Sequence, residues 1–274
     1  MVRPTFFPTI AWGKWSLRFL AVSYLFLLIA VPIIVVSYKG FEQGLTVFWE
    51  SINNRIAYSA LKLSLRTSAT AAVINTIMGT LTAYVLVKYR FPGKAIFNAF
   101  IDLPFALPTL VTGVMLVLLY GPQTIVGSFI EENTGHRILF APPGIMLALL
   151  FVGYPFVIRT VQPVLMQLDL NQEEAAQTLG ASNWETFWRI IFPAIRPAII
   201  AGALLSFARG LGEFGSIIIV AGNIPMKSQT ATVYIYAKVE SGNMQAASGI
   251  SLVLLAVAFT ITVSIDFLRG RKHA

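Results

Sequence analysis

Arg209 and Glu213 stand four residues apart in a stretch, 197–222, that otherwise carries no charge. On a helix that spacing puts both on one face. A guanidinium and a carboxylate in apolar surroundings can do one of two things. They can neutralise each other and hold structure, or the cation can line the path of an anion while the carboxylate holds it in place. The same segment, Ala208-Arg-Gly-Leu-Gly-Glu-Phe-Gly-Ser216, contains G-x-G-x-x-G at Gly210, Gly212 and Gly215. Dinucleotide chemistry needs a strand before those glycines and a soluble helix after them, and this segment lies inside an apolar span. Gly212 and Gly215 therefore read as places where helices approach closely or flex.

The second constellation is polar. Residues 173–193 read Glu-Glu-Ala-Ala-Gln-Thr-Leu-Gly-Ala-Ser-Asn-Trp-Glu-Thr-Phe-Trp-Arg-Ile-Ile-Phe-Pro. Asn171-Gln-Glu-Glu174 fits a helix N-cap with Glu at the third position. Gly180 falls where a left-handed residue would stop that helix. Ser182-Asn-Trp-Glu185 is a second capping box, Pro193 is expected to end the second helix, and Pro197 fits the first turn of the next span. Two short helices at a glycine turn would present Leu179, Trp184, Phe187 and Trp188. Such a surface suits a protein partner or a layer of lipid headgroups, and the caps alone do not choose.

Other chemistry is excluded by type. There is no cysteine, so no disulfide, thiol or thiolate metal site. His136 and His273 are too few and too far apart for a metal centre, and no cofactor is expected. No His/Asp/Ser cluster suggests an enzyme. Neither Gly13-Lys14 nor Gly93-Lys94 has a glycine five residues before its own, so the phosphate-cradling loop is missing. Phosphoryl chemistry, if the protein uses it, comes from another chain.

The elements that must position these residues are greasy. The chain of 274 residues is 56% hydrophobic and 12% charged, where a soluble domain carries about 25% charge. Six stretches approach the roughly 20 apolar residues that cross a bilayer: 19–38, 67–87, 95–120, 138–158, 197–222 and 244–265. The fold class is all-α, a polytopic membrane protein with six transmembrane helices. Basic residues gather on one set of alternate loops, at Arg3, Lys14, Arg18, Lys88, Arg90, Lys94, Arg159, Arg189, Arg196, Arg269, Arg271 and Lys272. Fewer fall on the other, at Lys39, Arg55, Arg137, Lys227 and Lys238. That asymmetry puts both termini in the cytoplasm. It also accounts for the net charge of +8 without nucleic acid. Lys14 and Arg18 precede a run too long for a signal peptide, so the first helix reads as retained.

Within the third stretch Pro104 and Pro108 should bend or break the helix near its cytoplasmic end. The segment 51–66 reads as a helical extension of the second span, with Lys62 and Arg66 on one face at the outer side. They either snorkel to the interface or face an anion's path or a carrier protein. No internal repeat is visible, so a secondary transporter of repeated halves is not supported.

Glu174-Ala-Ala176, Gly180, Ile190 and Phe192-Pro193, in that spacing, resemble the EAA signature of permease subunits of ATP-binding-cassette (ABC) importers, with Phe192 where Leu is usual. The resemblance implies a type I importer permease fold. It also implies that Glu174, Ala175, Ala176, Leu179, Gly180, Ile190 and Pro193 form the loop seated on a cytoplasmic ATPase. Residues 209–225 resemble the oxyanion branch, which comprises sulfate, thiosulfate, molybdate and tungstate permeases. Asp102-Leu-Pro-Phe-Ala-Leu-Pro108, Pro155–Pro163 and Gly222-Asn-Ile-Pro-Met-Lys227 look most like T subunits of sulfate/thiosulfate permeases. The implied partners are two ATPase subunits, a second and non-identical permease, an extracytoplasmic sulfate-binding protein and the bilayer, either a bacterial inner membrane or a plastid membrane. The expected organisation is a cytoplasmic segment 1–16, a permease domain 17–268 containing the loop 169–193, and a tail 269–274. A molybdate or tungstate permease and a secondary anion carrier are the rival expectations.

Overall fold

The computed structural model describes residues 11–270, so the expectations placed on Arg3, Arg271, Lys272 and His273 lie outside the described residues. All regular structure among those residues is helical. Five helices or helix runs are long and apolar enough to cross a membrane: α1 (Trp15–Phe41), α3 (Arg55–Lys88), α7 (Pro142–Met166), α9 (Asn183–Leu211) and α12, whose apolar part is Met244–Ile265. A bent pair, α4 (Lys94–Ala106) and α5 (Thr109–Tyr120), meeting at 111°, passes the same test when taken together and makes a sixth if the pair is one broken span and not a re-entrant loop. Between them lie the short helices α2 (Leu45–Asn53), α6 (Ile125–Thr134), α8 (Leu170–Thr178), α10 (Gly215–Ala221) and α11 (Ala231–Glu240).

Prolines behave differently according to what precedes them. Pro104 stays inside α4, whereas Leu107, held extended by the ring of Pro108, ends it. The break therefore falls mid-stretch and not near one end. Pro193 does not end a helix, and Pro197 does not begin one. α9 runs unbroken from Asn183 to Leu211 because a π-helical turn, Phe187–Ile191, lies just before Phe192-Pro193. Phe192 N–H donates to the Phe187 carbonyl, and this wider turn moves the backbone away from the proline ring. α1 repeats the device: a π turn at Phe26–Ala30 immediately precedes Val31-Pro32.

α3 is about 50 Å long at 1.5 Å per residue, well beyond the hydrocarbon thickness of about 30 Å. It begins at Arg55, where Asn54 caps it by accepting from Ile56 N–H at 2.9 Å. The expected extension is thus real from Arg55 onward, while residues before Asn54 belong to α2. α3, α7 and α9 form the centre. A Cβ on Gly79 or Gly202 would press on Val157, so these glycines set how closely the three helices pack. Asn75 of α3 enters α7 beside Pro155. Its amide donates to the Leu150 carbonyl and accepts from Tyr154 N–H and Ser206 Oγ, at 3.2, 3.3 and 3.2 Å. A side chain of α3 thereby bonds the backbone of α7 in the turn just before Pro155.

Candidate functional site

The hairpin α8–α9 folds by local chemistry. Asp169 is the N-cap of α8 and accepts from Asn171 N–H at 3.0 Å, so the cap is two residues earlier than Asn171. At the other end Ala181 N–H donates to the Ala176 carbonyl (3.0 Å) and Gly180 N–H to that of Gln177 (2.9 Å). Those two bonds with Gly180 at φ +86° make a Schellman stop. α9 then starts with the full capping box: Glu185 N–H donates to Ser182 Oγ (3.2 Å), and Ser182 N–H donates back to Glu185 Oε2 (3.0 Å).

Glu174, Ala175, Leu179, Gly180 and Pro193 are exposed, and Ala176 and Ile190 are half-buried. Leu179 is 88% exposed and Trp184 69%, a large apolar surface for a turn. Behind it the hairpin is pinned. Phe187 sits edge-on to Tyr84 of α3, with centroids 5.6 Å apart, and Ile191 is buried in the core with Val157, Val161 and Ile195. Lys88, the last residue of α3, forms an ion pair with Glu173. Displacing the hairpin therefore displaces the end of the longest helix. Neither end of that ion pair was singled out for it from the sequence. A basic residue at a helix terminus and an acidic one in the first turn of another were the available signals.

The second site lies at a break, not in the middle of a helix. α9 ends at Leu211, and Glu213 sits in the connection to α10. Arg209 Nη2 meets Glu213 Oε2 at 2.7 Å, as the spacing predicts. Glu213 is 1% exposed and Arg209 31%. The other carboxylate oxygen accepts from Ser216 N–H and Oγ, both at 2.9 Å, and Thr232 Oγ1 donates to the Glu213 carbonyl at 2.8 Å. Glu213 thus joins α9, α10 and α11, while the less buried guanidinium keeps an open side. Gly215 lies against α5, where a Cβ would collide with Thr109 Oγ1. Gly212 is exposed with no close neighbour, so it is not a close-approach position. Lys62 and Arg66 share the exposed side of α3 and form no ion pair among the described residues.

Arg159 is a further centre. Its Nε and Nη2 fork onto Asp102 at 2.7 and 2.6 Å. Nη1 donates to Asn98 Oδ1 (3.2 Å) and Gln162 Oε1 (2.5 Å), and Nη2 also donates to the Asn98 carbonyl (3.1 Å). One guanidinium thereby holds α4, the first half of the bent pair, against α7. Asp102, a lone charge in an apolar stretch, was the signal that called for a partner. Arg159→Met is expected to lower stability by about 2 kcal/mol, as charged hydrogen bonds are lost. Arg159→Lys should recover only part of it, since an ammonium cannot fork. Thermal unfolding of the purified protein followed by tryptophan fluorescence measures both.

The family described as binding-protein-dependent transport system inner membrane component matches residues 75–271. A sulfate transport system permease protein CysT of Synechocystis sp. is 41% identical over 255 residues, covering 92% of this chain and 89% of that one. A sulfate transport system permease protein CysW of the same organism is 38% identical over 258 residues, covering 94% and 93%. Among solved structures, a bacterial alginate ABC transporter in complex with an alginate pentasaccharide-bound periplasmic protein has a chain that superposes with a TM-score of 0.77. It covers 95% of this chain and 94% of that one at 19% identity, a likeness of fold.

Proposed function

The chain belongs to the family of binding-protein-dependent transport system inner membrane components, and from that premise we propose that it is the permease subunit of an ATP-driven sulfate importer. It is an integral, multi-pass membrane protein and not an enzyme; ATP is hydrolysed on a separate subunit. It works with that ATPase, a second permease and a binding protein. In the finer reading the ATPase is present in two copies and the second permease is a non-identical homologue. The binding protein delivers sulfate or thiosulfate from the extracytoplasmic side. The membrane is a bacterial inner membrane with both chain termini in the cytoplasm, a side favoured by the basic loops.

The observation that carries this reading is the hairpin at 169–193. It exposes Leu179 and Trp184 while being tied to α3 by the Lys88–Glu173 pair and the Tyr84–Phe187 contact. An ATPase that closes on ATP pulls on that surface, and the rigid hairpin moves the bundle from inward-open to outward-open. Glu174, Ala175, Ala176, Gly180, Ile190 and Pro193 belong to this lever. Arg209 faces the anion's path with Glu213 holding it, and Lys62 and Arg66 lie toward the outer face. Switching almost completely between two bundle arrangements takes about 5.5 kcal/mol of difference between nucleotide states, and a loose loop would dissipate it.

The test is uptake of radiolabelled sulfate into vesicles carrying the assembled transporter, its binding protein and internal ATP. Uptake should require ATP and all subunits and be competed by thiosulfate. Transport by this chain alone, or competition by molybdate in place of thiosulfate, would overturn the assignment.

A further inference from the structure

A polar cleft of about 650 Å³ opens where α1 ends and α12 begins, with Lys39, Glu42, Glu50, Tyr234, Lys238 and Gln245 in its wall. It stands at the level where two apolar spans stop, α1 at Phe41 and α12 at Met244. Packing fixes the position, since Gly40 of α1 lies so close to α12 that a Cβ would be 2.8 Å from Leu252 Cδ1. Tyr38, Phe41, Leu45 and Trp49 are exposed around it, and Tyr and Trp at such a level are the residues favoured at a membrane–water boundary.

The cleft has bonding capacity it does not use. Lys39 is committed to Glu42, at 2.9 Å. Glu50 and Lys238 form no ion pair among the described residues. Lys238 Nζ instead lies 5.3 Å from the centroid of the Tyr234 ring. Gln245 carries a buried Nε2 donor with no acceptor. The wall therefore lacks an anion for Lys238 and a cation for Glu50. We propose that this cleft binds the headgroup of a zwitterionic phospholipid, its phosphodiester toward Lys238 and its ammonium toward Glu50. A loop of a protein partner could bring the same charges, but the surroundings favour lipid. No residue in the apolar window of α1 is buried, so acyl chains can lie along that helix directly beneath the headgroup. The inference rests on the membrane-spanning fold and is independent of the cargo.

The full chain, purified in mild detergent with the subunits that accompany it, is exposed to equal amounts of phosphatidylethanolamine and phosphatidylglycerol, and retained lipid is counted by native mass spectrometry. The wild-type protein should retain phosphatidylethanolamine in preference. Glu50→Gln should reduce that preference by about two- to fivefold, the range of one partly exposed ion pair, and Lys238→Gln should lower retention of both lipids. Arg137→Gln, an exposed charge outside the cleft, should change neither. Equal retention of the two lipids by the wild type, or retention unmoved by Glu50→Gln and Lys238→Gln, overturns the proposal. So does loss of binding-protein-stimulated ATP hydrolysis in Glu50→Gln with lipid retention unchanged, which would give the cleft to a protein.

Discussion

Gly180→Val is expected to leave the transporter assembled and to reduce ATP-driven uptake at least about tenfold, a loss of about 1.4 kcal/mol of coupling. Gly180 has φ +86°, and nothing lies within 4 Å of where its Cβ would be. The substitution therefore meets no neighbour, and its whole effect is on the backbone. Forcing an L-residue into the left-handed region costs about 1–2 kcal/mol, and a β-branched one is the worst case. Global stability is about 5–15 kcal/mol, so the protein stays folded. The turn has few bonds to resist opening: those from Gly180 and Ala181 to Gln177 and Ala176, and one from Gln177 Nε2 to Asn183 Oδ1 at 3.3 Å. Once it opens, Leu179 and Trp184 no longer hold one arrangement, and ATPase motion is spent on the loop. Gly180→Asn should stay close to wild type, because Asn accepts this conformation. Uptake into vesicles and ATP hydrolysis are measured side by side on complexes shown intact by size exclusion. An assembled Val variant with wild-type uptake would refute the lever.

Much of the hairpin was legible because its determinants are local. The Ser182–Glu185 box and the left-handed Gly180 are each contained within a few residues, and the structure has both. The cap at Asp169 was misread as Asn171 because both residue types cap, and only the bond to Asn171 N–H distinguishes them. Pro193 and Pro197 mislead for a different reason. Taken singly they end helices, but the π turn at Phe187–Ile191 accommodates the first, and nothing in Phe-Trp-Arg-Ile-Ile announces it. The ties that give the site mechanical meaning are long-range. Lys88 finds Glu173 and Arg159 finds Asp102 across 85 and 57 residues. Charge type narrows such partners, yet topology chooses among them. The Arg209–Glu213 spacing predicted the ion pair correctly. It could not reveal that Glu213 lies in a helix break and also caps Ser216, which is what makes the two partners unequal.

That inequality makes the pair testable as pathway against scaffold. Arg209→Gln leaves Glu213, 1% exposed, without its cation, and losing one partner of a buried pair costs about 3–5 kcal/mol. A large fall in melting temperature is expected. Glu213→Gln should be milder, because the guanidinium has an open side and the Gln oxygen can still accept from Ser216 N–H. Joining the two substitutions removes both charges, so the double variant should be about as stable as Glu213→Gln alone. Such strong non-additivity is the mark of directly coupled residues. Stability and transport then separate. If Arg209 meets the anion, the double variant regains its melting temperature and still loses uptake by at least about tenfold. Glu213→Gln, which keeps the cation, retains part of it. If uptake returns together with stability in the double variant, the pair only holds α9, α10 and α11 together, and the anion's contacts lie elsewhere in the bundle.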